Sequence, residues 1–139
     1  MAVSASLGMY LAVAAGGACG AMLRYSVSLM VGAGVFGIAG PMATILVNIA
    51  GSAMMGLLAG ATTNGGGAGL LLPEAWRGFV MIGFLGALTT FSSFALDAGN
   101  LLQKHGIAMA GAYIAASVIL SLAAFGLCFL IMRVVLNNV

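Results

Sequence analysis

A chain of 139 residues that is 63% hydrophobic and 4% charged, with net charge +2 and mean hydropathy +1.24, is not a water-soluble domain, where about a quarter of residues carry charge. Its ionisable side chains reduce to Arg24, Glu74, Arg77, Asp97, Lys104, His105 and Arg133. The uncharged stretches between them suit spans of about 20 residues, and the absence of strict apolar/polar alternation excludes a β-barrel.

The fold class is an all-α membrane protein, one unit over residues 1–139, with four transmembrane helices at about 4–31, 41–61, 77–102 and 107–135. The N-terminal stretch lacks the basic region of a signal peptide and is read as helix 1, retained. Residues 32–40 form the first turn, and Pro41 suits the first turn of helix 2. Gly16/Gly20 and Gly56/Gly60 are small-xxx-small pairs that permit close helix packing. Thr62–Leu72, with Gly65, Gly66 and Gly67, is the longest linker. Pro73, Glu74, Ala75 and Trp76 open helix 3 at interfacial depth, and Gln103–Gly106 makes the last turn. Cys19 and Cys128 both fall within spans, where they read as small apolar residues and not a disulfide.

Helix 3 carries the most informative segment. Gly83 to Phe94 reads Gly-Phe-Leu-Gly-Ala-Leu-Thr-Thr-Phe-Ser-Ser-Phe, a poor recipe for an unbroken helix. In hydrocarbon, an opened turn survives only where protein or a polar cavity satisfies its backbone, and such discontinuous helices recur at ion sites. The alternative is a continuous helix whose Ser and Thr hydroxyls bond back to their own carbonyls.

Four short helices enclose little interior, so a pore needs a second copy. Arg77 and Arg133 fall on one side of the membrane and Arg24 and Lys104 on the other. That tie leaves the positive-inside rule without a preference, and an antiparallel, dual-topology homodimer follows. If Arg24 sits too deep to count, a single orientation results.

Within the spans, Asn48 lies about 10 Å into helix 2 and is either interhelical glue or a pore ligand. Tyr113, Ser117 and Ser121, spaced i, i+4, i+8, stack hydroxyls on one face of helix 4. Glu74 and Asp97 lie near span ends, so the carboxylate that a proton-coupled exporter needs at membrane depth is missing. Hydroxyls, an amide and the electropositive ring edges of Phe91 and Phe94 suit an anion better than a cation, although ordinary packing is the plainer reading of each ring.

Gly16–Tyr25, Thr44–Ser52 and Gly83–Phe94 resemble, in order and spacing, three motifs of the Fluc (CrcB) fluoride channels. The resemblance implies a passive, fluoride-selective channel that lowers cytoplasmic fluoride, working as an antiparallel dimer with two pores in the cell inner membrane. It implies that Phe91 and Phe94 line the pores, with Asn48, Ser92, Ser93, Tyr113, Ser117 and Ser121 along them and Arg24 at a vestibule. Ser93 stands where many relatives are expected to carry Thr. The carbonyls of Gly86 and Thr89 are expected to hold a structural Na+ at the dimer centre. The partners implied are fluoride, a second copy and the bilayer, with no organic cofactor, no nucleic acid and no enzymatic activity. Fluoride is small and strongly hydrated, so closely placed donors must replace its water shell. The competing readings are a small dual-topology multidrug or cation exporter, and an assembly subunit that transports nothing.

Overall fold

A computed structural model describes residues 7–32, 39–62 and 72–138. The expected start of helix 1 at residue 4, most of the 32–40 turn and the glycine-rich part of the 62–72 linker lie outside them. Helix α1 spans Leu7–Gly32 and α2 spans Ala39–Thr62, within a few residues of expectation. Pro41 is the third residue of α2, where its missing N–H forfeits no helical bond.

The third span begins as α3 (Glu74–Arg77), widens into a π-helical stretch over Gly78–Leu85, and closes as α4 (Gly86–Leu88). The π-helical stretch was not anticipated, because its run of apolar residues has the composition of an ordinary span. After α4 the chain is extended at Thr89 and Thr90 and resumes as α5, Phe91–Asn137. By length and composition, three helical stretches among the described residues can cross a membrane: Leu7–Val31, Gly40–Thr62 and the compound Glu74–Asn137.

That last stretch folds back on itself. Gly106 has φ 82° and ψ 177°, a region open essentially to glycine alone. The rings of Phe94 and Tyr113 lie 5.5 Å apart, whereas nineteen residues of straight helix would separate them by about 28 Å. α5 is therefore a hairpin, and the helix expected at 107–135 is its second arm. The expected four-residue turn shrinks to Gly106, with Gln103, Lys104 and His105 still helical.

Close backbone contact holds the elements together. A Cβ at Gly16 would collide with the Phe79 carbonyl and one at Gly20 with the Phe84 carbonyl, so α1 lies directly on the π-helical stretch. The buried core divides in two. Val47, Leu85 and Leu88 join α2 to the end of the third span. Phe94, Leu101, Ala110 and Tyr113 fill the α5 hairpin, with Ile45 of α2 against them. Large apolar side chains such as Met30, Ile82 and Ile107 face outward, a surface that lipid or another protein must cover. Cys19 and Cys128 are free thiols.

Candidate functional site

The site is organised by the interruption between α4 and α5. Thr89 (φ −80°, ψ 151°) and Thr90 (φ −151°, ψ 126°) are extended. The Thr90 amide, which in a continuous helix would donate to the Gly86 carbonyl, donates instead to Asn48 Oδ1 at 2.9 Å. Asn48 Nδ2 donates in return to the Thr90 carbonyl at 3.2 Å. One amide side chain from the middle of α2 thus replaces a helical partner at both the N–H and the C=O of Thr90. Thr90 also caps α5: its Oγ1 accepts the Ser93 amide at 3.2 Å, the expected role of a threonine at this position. Thr89 does bond back to its own helix, its hydroxyl donating to the Leu85 carbonyl at 2.8 Å. The continuous-helix alternative fails even so, because Thr90 and Ser93 direct their amides elsewhere. The carbonyls at the end of α4 are left without their helical donors, and Gly86 is exposed.

Two cavities meet at Thr90. The larger, of about 540 Å3, brings together Asn48, Phe91, Phe94, Ser117 and Ser121, with Gly86 and Thr89 on its wall. Ser117 is buried, and the buried Ser121 hydroxyl has no hydrogen-bond partner among the described residues. Phe94 is buried against Tyr113 and also contacts Phe91, at 5.4 Å between centroids. Phe91 itself is 79% exposed, so this cavity is open on one side.

The smaller cavity, of about 400 Å3, contains Arg24, Thr44, Thr90, Ser93 and Asp97. Arg24 Nη1 donates to Ser93 Oγ at 3.2 Å, and Thr90 Oγ1 donates to the same oxygen at 3.2 Å. A chain of hydroxyls thus leads from the guanidinium to the break. Ser92 lies outside both cavities, exposed, with its hydroxyl 3.2 Å from Thr90 Oγ1. Tyr113 is set back from the larger cavity behind Phe94.

Asp97 requires a correction. The expectation places it near a span end and outside the polar constellation, but its hydrogen bonds tie it to that constellation. It accepts a 2.6 Å hydrogen bond from the Thr44 hydroxyl and one of 3.4 Å from the Tyr113 hydroxyl. The signal was available in the spacing: Asp97 follows Ser93 by four residues and Phe94 by three, which places all three on one helix face. The fold-back at Gly106 that delivers Tyr113 to it was not available. Thr44 and Thr90 are further site residues that the sequence reading quoted only within motifs. Asp97 does stay near one end of the molecule, since Thr44 is five residues into α2, about 8 Å along it.

Among the described residues no cluster of three His, Cys, Asp or Glu side chains could hold a metal. Oxygen ligands are present instead in the carbonyls at the end of α4. Such carbonyl oxygens are hard donors of the kind that alkali and alkaline-earth cations prefer.

The chain matches the family described as CrcB-like protein, Camphor Resistance (CrcB), over residues 11–129. A protein named fluoride-specific ion channel FluC from Rhodospirillum centenum is 47% identical over 114 residues, covering 81% of this chain and 86% of that protein. One named fluoride-specific ion channel FluC 2 from Nitrobacter hamburgensis is 43% identical over 112 residues, covering 81% and 86%. A FluC from Caulobacter sp. (strain K31) is 42% identical over 123 residues, covering 88% and 93%. With that match running through all three long apolar stretches, the chain belongs to the CrcB-like family.

Proposed function

We propose that this protein is a fluoride-selective passive channel, a multi-pass protein of the inner membrane that lets accumulated fluoride leave the cytoplasm. The observation that carries the proposal is the larger cavity. Among the described residues its polar lining is uncharged, and the buried Ser121 hydroxyl there has no protein partner. A buried donor left unmatched is costly, and a small anion moving past it supplies the missing acceptor. Asn48 retains a second Nδ2–H beyond the one given to Thr90, and the edges of Phe91 and Phe94 add weak positive charge. The names of the relatives agree with this reading.

In this proposal fluoride collects near Arg24, crosses the hydroxyls of Ser93 and Thr90, and passes the Phe91 and Phe94 edges to reach Ser117 and Ser121. No lysine or arginine lines the larger cavity, so nothing there holds the anion too tightly to leave. The chain crosses the membrane four times, the two arms of α5 counting separately. A second copy, antiparallel to the first, covers the open side at Phe91 and makes two pores. The carbonyls of Gly86 and Thr89 from both copies would hold Na+ between them. The ion would supply positive charge where helix ends would otherwise face one another unsatisfied.

The exporter reading needs a carboxylate free to exchange protons at depth. Of the two acidic residues in the chain, Glu74 is exposed at the start of α3 and Asp97 is engaged by Thr44 and Tyr113. The test is efflux from vesicles reconstituted with purified protein, with a potassium ionophore clamping the voltage. Fluoride-loaded vesicles should empty and chloride-loaded ones should not. Equal rates, or efflux that requires an opposing proton gradient, would reject the proposal.

A further inference from the structure

The four-residue row of Tyr113, Ser117 and Ser121 on α5 continues past the hydroxyls to Phe125, Phe129 and Arg133. Phe125 still lines the larger cavity, at the end away from the break. Beyond it the rings of Phe125 and Phe129 stack, 6.1 Å between centroids with their planes 15° apart. The Arg133 guanidinium lies over the Phe129 ring, 5.6 Å from its centroid. These side chains sit on a tightly packed seam. A Cβ at Gly56 would collide with the Phe125 carbonyl, and one at Gly60 would come within 2.7 Å of the Phe129 carbonyl.

The seam fixes where Arg133 lies along the molecule. Phe129 is level with Gly60, near the end of α2. The cavity of Arg24 includes Gly40 and Thr44, at its start. Gly40 and Gly60 are twenty residues apart on one helix, or about 30 Å, the thickness of a hydrocarbon core. The two arginines therefore stand at opposite ends of the polar path, with the uncharged cavity between them.

We infer that Arg133, seated on Phe129, is the anion-collecting residue of the second mouth of the pathway, the counterpart of Arg24 at the first. The inference rests on the channel reading above. An uncharged path gains little from a single attractive end, because an anion crossing it must enter or leave through the other. A guanidinium at the far end raises the local concentration of small anions there. Lying over the ring, it draws on the negative face and leaves the ring edges more positive. Arginine suits this better than lysine because its planar head stacks on the ring.

The test uses full-length protein in vesicles loaded with a few millimolar fluoride, at ionic strengths of about 10 mM and 1 M set by an impermeant salt. Screening lengths are then about 30 Å and 3 Å. Arg133→Gln should lower the initial fluoride rate severalfold at low ionic strength and match the wild type at high. Arg133→Lys should restore most of the loss, and Phe129→Leu, which keeps the apolar packing but removes the ring, should fall between. Wild-type flux with an unchanged rate for Arg133→Gln at low ionic strength would overturn the inference and leave the channel reading standing. A deficit of the same size at both ionic strengths would also overturn it, because it marks a structural role. If Arg133→Gln does not fold, the comparison passes to Phe129→Leu: a salt-independent rate equal to wild type would count against the inference. Absence of flux from the wild type would reject the channel reading itself.

Discussion

Asn48 and Thr90 are joined by two hydrogen bonds that run in opposite directions, between the side-chain amide of one and the backbone N–H and C=O of the other. This pairing replaces the helix where the third span is interrupted. Asn48→Ala would leave the part-buried amide and carbonyl of Thr90 unmatched, at a cost of about 1–3 kcal/mol. We expect a lower unfolding temperature in detergent and a fluoride flux reduced by about tenfold, the factor carried by each ~1.4 kcal/mol of barrier. Wild-type stability and flux together would show that the break does not depend on this clasp.

The two phenylalanines should separate in their effects. Phe94 is buried against Tyr113, so Phe94→Ala should cost about 3 kcal/mol in stability as well as reduce flux. Phe91 is mostly exposed within one chain, so Phe91→Ala should spare the fold of the chain and still impair flux. Thermal unfolding and vesicle efflux measured on the same preparations would test this split.

The two hydroxyls that reach Asp97 are unequal. The Thr44 bond is short, at 2.6 Å, and the Tyr113 bond long, at 3.4 Å. Thr44→Val should therefore destabilise by about 1.5–3 kcal/mol, the range for bonds to charged groups, and Tyr113→Phe by well under about 1 kcal/mol. The reverse order, measured by thermal unfolding, would mean that Tyr113 and not Thr44 anchors the carboxylate.

Gly86 discriminates between one chain and two. Inside a single chain a Cβ there meets nothing closer than the Met81 carbonyl at 3.8 Å, an ordinary contact. In the proposed antiparallel dimer, where two breaks would approach closely around a cation, Gly86→Val should therefore leave the chain folded and fail at assembly. Size-exclusion chromatography with light scattering should give a smaller particle than the wild type. An unchanged particle would remove Gly86 from the interface.

The proposed dual topology is tested through orientation. With Cys19 and Cys128 replaced by alanine, a cysteine introduced at Asn138 should be labelled on about half the molecules from each side of the membrane. Labelling from one side alone would exclude the dual topology.

Much of this architecture was legible in the chain because the bilayer imposes simple rules. Few charges and long apolar runs dictate spans, and Thr89-Thr90 followed by Ser92-Ser93 marks a break that only a buried partner can sustain. Asn48 was the available partner in α2, and it is the residue that the break uses. The widening over Gly78–Leu85 was not legible, because its apolar residues have the composition of an ordinary span. Asp97 was overlooked for a different reason. Its partner Tyr113 is sixteen residues away in sequence and reaches it only because Gly106 reverses the chain. Ser92 shows the opposite case, a hydroxyl inside the most distinctive motif that is exposed and lines neither cavity.

The reading of this chain as a fluoride pore is best judged by current across a planar bilayer holding the purified protein, with fluoride and chloride gradients opposed. The current should vanish at the fluoride equilibrium potential and stay there when the chloride gradient is changed or abolished. A zero-current voltage that follows chloride, or follows a proton gradient imposed in its place, would contradict it.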